Sequence, residues 1–416
     1  MSGAESSVLT LRRNNYRNRI LAIIRSNDNV SRHDIKQITK YSMTTTLNTV
    51  SEMLSKGYIV ESGTGESSGG RKPIYLKINP SGAHFLGVDF NSKFVYSAII
   101  NLNGDIVYKD SISIPNELNN TASIILLIRN AISNMISHVL DGGPIFGIGL
   151  GVPGYIDKRS GAVGDYAFIR DFSNVRLEEL IKNEFPYDIF IENNINAMAL
   201  AYKWIEYDGA CDNFALISIR SGLRMAAIVK NNLVKGAAGA AGEIDHIQIP
   251  GAGRPCSCGK KGCLVTEISN TAILSKVVEG ILSKRFKAVS DIIGGDLSAL
   301  GMSAITKAYL SGDPEVRELA RETAGYLGHV LSIIIAIHNP QKLVIRTDFQ
   351  SDGGDFLNIL CDLIKQSGNP HHLENLEIEY AKFGEHIGAI GAACLVMQNT
   401  IYCNETIRRK TAVIAV

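Results

Sequence analysis

The chain has 416 residues, 45% of them hydrophobic and 20% charged, with a net charge of +1; that length exceeds what one hydrophobic core organises and predicts two or three domains. No apolar run reaches the roughly 20 residues of a membrane span, and the opening "MSGAESSVLTLRRNNYRNRI" lacks the apolar core of a signal peptide, so a cytoplasmic protein without a membrane partner is expected. Residues 1–80 hold twelve Lys or Arg against six Asp or Glu, a net +6, which leaves −5 for the remainder: a basic head on a mildly acidic body suggests that the head meets a polyanion.

In the head, "NRILAIIRSNDN" places Ile20, Leu21, Ile23 and Ile24 at helical spacing, and "SND" closes the helix. "VSRHDIKQITKYS" opens a second helix with Ser31 at the N-cap and Asp34 where the capping partner belongs. A third helix begins at Ser42, with an apolar stripe of Met43, Leu47, Val50 and Leu54 and a stop at Gly57. Its opposite face offers Thr44, Thr45, Asn48 and Ser51. Two short helices across a tight turn, the second with small polar side chains near its start, match a helix-turn-helix. "YIVESG", "TGESSGG" and "RKPIYLKIN" then read as a hairpin wing with Arg71 and Lys72 at its tip, placed to reach DNA phosphates or a minor groove. Three helices alone would equally suit a module that binds another protein; the wing and the charge favour double-stranded DNA, with Arg32, Ser42, Thr44, Thr45, Asn48, Arg71 and Lys72 as candidate contacts.

In the body, "HFLGVDFNSKFVYSAIINLNGDIVYKDSI" reads as two strands of alternating polarity joined by a turn at "NLNGD". "IFGIGLGVPGYID" is a glycine-rich strand ending in a Pro-Gly turn, and "IENNINAMALAYKW" is a strand end, a polar turn with Glu192, Asn193 and Asn194, and the start of an amphipathic helix. In open α/β folds ligands gather at such carboxyl ends of strands. "FALISIRSGLRMAAIVKNNLVKG" is again strand, turn and strand, so two similar sheet beginnings predict a duplicated α/β architecture with a cleft between halves.

"GEIDHIQIPGAGRPCSCGKKGC" carries Cys256, Cys258 and Cys263 in C-x-C-x4-C spacing, with His246 ten residues upstream. The total of seven cysteines is odd and argues against a disulfide framework. Three thiolates and one imidazole complete a tetrahedral zinc shell. Four protein ligands leave no open position for a catalytic water, so the zinc would be structural. Buried reduced cysteines beside an unrelated histidine are the plain alternative.

Together "GEIDH" followed by "CSCGKKGC", the "GLGVPGYID" strand, the "ENNINA" turn and the winged head resemble the ROK family of sugar kinases and sugar-responsive repressors, in its repressor branch. The resemblance covers nearly the whole chain. It implies a two-lobed sugar-kinase fold (actin-like ATPase, ribonuclease H-like), a structural zinc, and a sugar pocket to which Asn193, Asn194, Glu243 and His246 contribute. Kinases of the family place an Asp where this chain has Asn194, and a neutral amide cannot act as general base. The phosphate loops depart as well: Asp89 is followed by "FNSK", "RSGLRMAA" sets Arg220 and Arg224 where small residues would let the backbone approach a phosphate, and "LVIRTDF" puts Arg346, Thr347 and Asp348 in place of a Gly-Gly pair. Val265 stands for an acidic residue and Asp245 for a glycine. Arg220 and Arg224 either hold an anionic effector or form salt bridges that close the nucleotide site.

The expected protein is an α/β chain with a winged helix-turn-helix at 1–80, a first lobe at 84–200 onto which a helix at about 386–400 packs back, and a second lobe with the zinc loop at 201–385. It would be a transcriptional regulator, a repressor by family, that senses a sugar or sugar phosphate through a catalytically inactive body. A homodimer or homotetramer would match a palindromic operator. The alternatives are an ATP-dependent sugar kinase with a regulatory head, and a constitutive DNA-binding protein whose body only oligomerises.

Overall fold

The computed structural model describes residues 16–27, 29–65, 72–139, 143–157, 160–207, 210–220, 222–350 and 355–401. The chain forms two compact units, residues 1–210 with 383–416, and residues 211–382.

The first unit opens with a helix over residues 16–25. Ile20, Leu21, Ala22, Ile23 and Ile24 are all buried, so this helix has no solvent face over that run, as a helix enclosed by its neighbours requires. Strand β1 (Val30–Ser31) leads into the helix Arg32–Thr39, whose capping box is formed: Asp34 N donates to the Ser31 hydroxyl, and the Asp34 carboxylate accepts from Ser31 N at 2.9 Å. The next helix, Met43–Ser55, is capped by Ser42. Strands β2 (Ile59–Thr64) and β3 (Ile74–Ile78) pair antiparallel, and β1 joins on the far side of β3. The helix trio and hairpin have the winged helix-turn-helix order.

The apolar stripe expected on Met43–Ser55 holds at Val50, which is buried, and at Leu54, which is half-buried, but not at Met43 and Leu47. The helix buries Thr46, Val50 and Met53, while Met43 and Leu47 are 41% and 40% exposed. Thr46 is buried whole, and its hydroxyl is satisfied there by donating to the Ser42 carbonyl at 3.1 Å.

The first lobe is a five-stranded sheet of β4 (His84–Phe90), β5 (Phe94–Asn101), β6 (Ile106–Ser113), β7 (Ile145–Val152) and β8 (Ile189–Asn193), in the order β6-β5-β4-β7-β8. The segment read as two alternating strands is three. Strand β4 is buried along its whole length and β5 nearly so, because the helix Thr121–His138 and the C-terminal helix Ile387–Thr400 both pack on them; only the edge strand β6 is largely exposed. The C-terminal helix approaches at backbone distance: a Cβ on Gly149 would collide with the Ala392 carbonyl, and one on Gly391 with the Ala197 carbonyl. The helix Asn194–Ala201, expected to be amphipathic, buries every residue from Ile195 onward, because it lies against that same C-terminal helix.

The second unit repeats the plan. Strands β9 (Phe214–Ile219), β10 (Leu223–Val229), β11 (Asn232–Leu233), β12 (Lys342–Arg346) and β13 (Glu377–Tyr380) run in the order β11-β10-β9-β12-β13. In both sheets the first three strands are an antiparallel meander and the last two add parallel to the first strand. The KNN turn is tight, with Lys230 and Asn231 both at positive φ. No described helix is long and apolar enough to cross a membrane.

Candidate functional site

The cysteine loop is drawn together by short-range pairing. Ile249 N donates to Gly262 O, Leu264 N to Ile247 O and Val265 N to Asp245 O, each at 2.8 or 2.9 Å, so the His246 segment lies alongside Cys263. Cys256 N donates to Lys260 O and Gly259 N to Cys256 O, closing a turn in which Gly259 takes φ 87°. The donor atoms of His246, Cys256, Cys258 and Cys263 all lie within 4.8 Å of one another, with Cys256 Sγ 3.5 Å from His246 Nδ1 and Cys258 Sγ 3.6 Å from Cys263 Sγ. Metal–sulfur bonds of about 2.3 Å in a tetrahedron separate sulfurs by roughly 3.8 Å, so the four residues fit one tetrahedral ion. Burial, reinforced by the neighbouring thiols, pushes the Cys263 thiol up to about 12, whereas the Lys260 backbone amide lowers that of Cys258. Crowded thiols of this kind ionise together only when a cation offsets their repulsion.

His246 Nδ1 faces the sulfurs, and Nε2 is 3.7 Å from Asp245 Oδ2. Asp245 is the residue whose role the sequence reading missed: it stood out only as a departure from glycine, and nothing local indicates that its carboxylate turns toward the neighbouring ring.

Arg220 and Arg224 are both engaged within the second unit. Arg220 pairs with Asp348 at 2.9 Å, and Asn270 binds the other Asp348 oxygen at 2.7 Å. Arg224 pairs with Glu243 at 3.0 Å. Of the two readings of these arginines, the salt-bridged one matches this geometry, and an anion would have to displace a carboxylate to reach either guanidinium.

At the end of β8 there is no turn: the strand runs directly into the helix at Asn194, with Asn193 as N-cap. Asn193 Oδ1 accepts from Ile195 N at 3.1 Å, and Nδ2 donates to Gly154 O at 2.6 Å, tying the helix start to the Pro-Gly turn after β7. Buried Glu192 accepts from Asn193 N and Asn196 Nδ2, both at 3.0 Å. Asn193 therefore spends one donor and one acceptor site on the fold, leaving one N–H and one lone pair of its amide. The Asn194 side chain is half-buried and makes no hydrogen bond among the described residues.

In the head, Thr44 and Asn48 are exposed on the outer face of Met43–Ser55, beside Met43 and Leu47. Ser42 and Thr45 are used in the cap: Thr45 N donates to the Ser42 hydroxyl at 3.0 Å and the two hydroxyls lie 2.8 Å apart. Arg32 pairs with Glu61 on β2 at 2.9 Å. Lys72 is exposed; Arg71 and the wing tip lie outside the described residues.

A second junction, unmarked in the sequence, joins head to lobe. Arg25, at the end of the first helix, donates to the Trp204 carbonyl at 2.9 Å and lies 3.5 Å from Met397 Sδ. Trp204 belongs to a π-helical turn, Tyr202–Glu206, that continues the helix from Asn194. Lys203 in that turn donates to Gln398 at 3.0 Å, and burial holds its pKa down to about 8.

The model of the ROK family matches residues 85–399. Among curated proteins, the chain is 28% identical over 390 residues to a xylose repressor of Caldicellulosiruptor bescii, covering 92% of this chain and 95% of that one. It is also 28% identical over 319 residues to a glucokinase of Halalkalibacterium halodurans, covering 76% of this chain and 95% of the kinase. Among solved structures, a ROK family transcriptional regulator, a homologue of the E. coli MLC protein, superposes with a TM-score of 0.81 at 22% identity, covering 94% of this chain and 96% of that one.

Proposed function

This chain belongs to the ROK family, and from that premise we propose that it is a sugar-responsive transcriptional repressor that binds double-stranded DNA and carries a structural zinc. The observation that carries the reading is the winged head set ahead of the two-lobed body: the similarity to the xylose repressor spans 92% of the chain, whereas that to the glucokinase spans 76%.

The helix Met43–Ser55 enters the major groove, where Asn48 and Thr44 meet base edges and the exposed Met43 and Leu47 meet thymine methyl groups. Ser42 and Thr45 present the helix start to phosphate, while Arg32, Arg71 and Lys72 add cationic contacts to the backbone or an adjacent minor groove. A homodimer or homotetramer places two heads on a palindromic operator.

The body binds effector and does not phosphorylate it. Asn194 can hydrogen-bond a hydroxyl but cannot take its proton near neutral pH, and Arg220 in the β9–β10 turn and Arg224 on β10 are both neutralised by carboxylates. Asn193, Asn194, Glu243 and His246 are the proposed contacts to a sugar or sugar phosphate; Glu243 would exchange its Arg224 partner for ligand. His246, Cys256, Cys258 and Cys263 would hold the zinc, which supplies a cross-link between the 245–249 segment and the cysteine loop. With all four positions taken by protein, there is no site for an activated water. Linkage then requires that effector bind one arrangement better and thereby lower operator affinity. The Asn194 helix, its π-turn and Arg25 form a continuous path from the proposed ligand edge to the head.

The test is the thermal stability of the zinc-loaded protein against a panel of sugars, sugar phosphates and ATP, coupled to an operator-binding assay. One sugar that raises stability and weakens operator binding is the expected result. Sugar-dependent ADP release would overturn the non-catalytic reading, and Asn48→Ala binding DNA as wild type would remove the helix from the interface.

A further inference from the structure

We propose that Asp245 is a positioning residue for the metal centre: its carboxylate accepts the Nε2–H of His246 and thereby presents Nδ1 to the ion. The inference rests on the zinc reading above and goes beyond the four ligands. Three observations carry it. The His246 ring already has Nδ1 toward Cys256 Sγ at 3.5 Å and Nε2 toward Asp245 Oδ2 at 3.7 Å, so one ring bridges the sulfurs and the carboxylate. The Asp245 backbone is held next to the cysteine loop, since Val265 N donates to Asp245 O at 2.9 Å, two residues beyond Cys263. The other carboxylate oxygen, Oδ1, is buried with no hydrogen-bond partner among the described residues, so no competing donor draws the carboxylate away from the ring.

The chemistry is that of a carboxylate, histidine and metal in series. An imidazole that ligates through Nδ1 carries its proton on Nε2, and a carboxylate acceptor there selects that tautomer, fixes the ring plane and makes the ligating nitrogen more basic. A contraction of less than 1 Å from the observed 3.7 Å brings the pair to hydrogen-bond distance. Asp245 does not touch the ion; it acts through His246. The same contact occupies Nε2, so an effector hydroxyl meets that nitrogen only by sharing it with Asp245 or displacing the carboxylate. No positive φ demands glycine at this position, so the effect of replacing Asp245 reports on the carboxylate.

The experiment measures zinc affinity of the full-length protein by competition with a chromogenic chelator, for wild type, Asp245→Asn, Asp245→Gly, His246→Ala and the double variant Asp245→Gly/His246→Ala. Loss of an outer-shell partner weakens metal binding about 10- to 100-fold, so Asp245→Gly is expected in that range. Asp245→Asn, which keeps an acceptor oxygen and the residue's shape but loses the charge, is expected to lose less. In the His246→Ala background Asp245→Gly is expected to change nothing, because a residue that acts through the ring has no effect once the ring is gone. Wild-type affinity in both Asp245 variants, or an equal loss with and without His246, would overturn the role of Asp245 while leaving the zinc centre intact. A wild-type chain that takes up no zinc would overturn both.

Discussion

The two five-stranded sheets have the same strand order and the same mixture of antiparallel and parallel pairs, yet the turns after their first strands are closed by different chemistry. After β4, Asn91 Oδ1 accepts from Lys93 N at 2.7 Å and from Phe94 N at 3.0 Å, a closure made within four residues. After β9, Arg220 reaches to Asp348, 128 residues away in the chain, at 2.9 Å. The lobes differ also in how their cores are tied. The first is clamped by a helix laid on Gly87 of β4 and Gly149 of β7, whereas the second carries a four-donor cluster. One backbone plan thus accepts unrelated side-chain solutions, and function has to be argued from loops and not from topology.

Removing the proposed zinc is the sharpest way to separate the lobes. Cys263→Ser removes a buried thiol of the proposed ligand set and is expected to abolish stoichiometric zinc uptake and the amide-exchange protection of residues 245–268, with residues 84–152 still protected. Structural zinc contributes about 10 kcal/mol or more in isolated finger peptides, and the larger lobe here should lose part of that as a lowered Tm. Equal loss of protection in both lobes would break the comparison.

In the first lobe, Gly149→Ala drives a methyl into the Ala392 carbonyl. Overpacking costs about 1–3 kcal/mol, read as a lower denaturant midpoint, with zinc stoichiometry unchanged. Lys203 gives the same lobe a pH signature. Its folded pKa, held by burial down to about 8, lies below the usual lysine value of 10.5, so between those values the unfolded chain binds more protons and stability rises with pH. The burden is fully present below pH 8 and relieved as pH approaches 10.5. Lys203→Met is expected to raise stability near neutral pH and to flatten that rise, by up to about 3 kcal/mol, as followed by urea titrations at pH 7 and pH 10.

The smallest effects come from the two turns. Asn91→Ala removes an acceptor for two amides and is expected to cost about 1–2 kcal/mol. Arg220→Ala breaks a partly exposed pair worth about 0–1 kcal/mol. Chemical denaturation of both variants would reverse the assignment if Arg220 proved the costlier loss.

Features whose partners lie a few residues apart were legible in the sequence: the Ser31–Asp34 capping box, the Ser42 cap, the KNN turn, the Pro-Gly turn after β7 and the cysteine spacing. The buried face of Met43–Ser55 was not, since Met43 and Leu47 are as apolar as the residues that pack and only the neighbouring elements select Thr46, Val50 and Met53. The same reason hid the burial of β4 and β5, where a strand covered on both faces loses its alternation. Arg25 carries no local mark at all; its partners Trp204 and Met397 lie 179 and 372 residues away.

By itself the sequence determined the winged head, the doubled α/β plan and the donor set of one histidine and three cysteines, because caps, turns, strand periodicity and ligand spacing are short-range and act before the chain is compact. Only the tertiary structure decided which helix faces are buried, that Arg220 and Arg224 are spent on Asp348 and Glu243, and that Asn193 ties its helix start to Gly154. Those outcomes depend on which groups distant in the chain arrive within 3 or 4 Å, and such distances are set by packing.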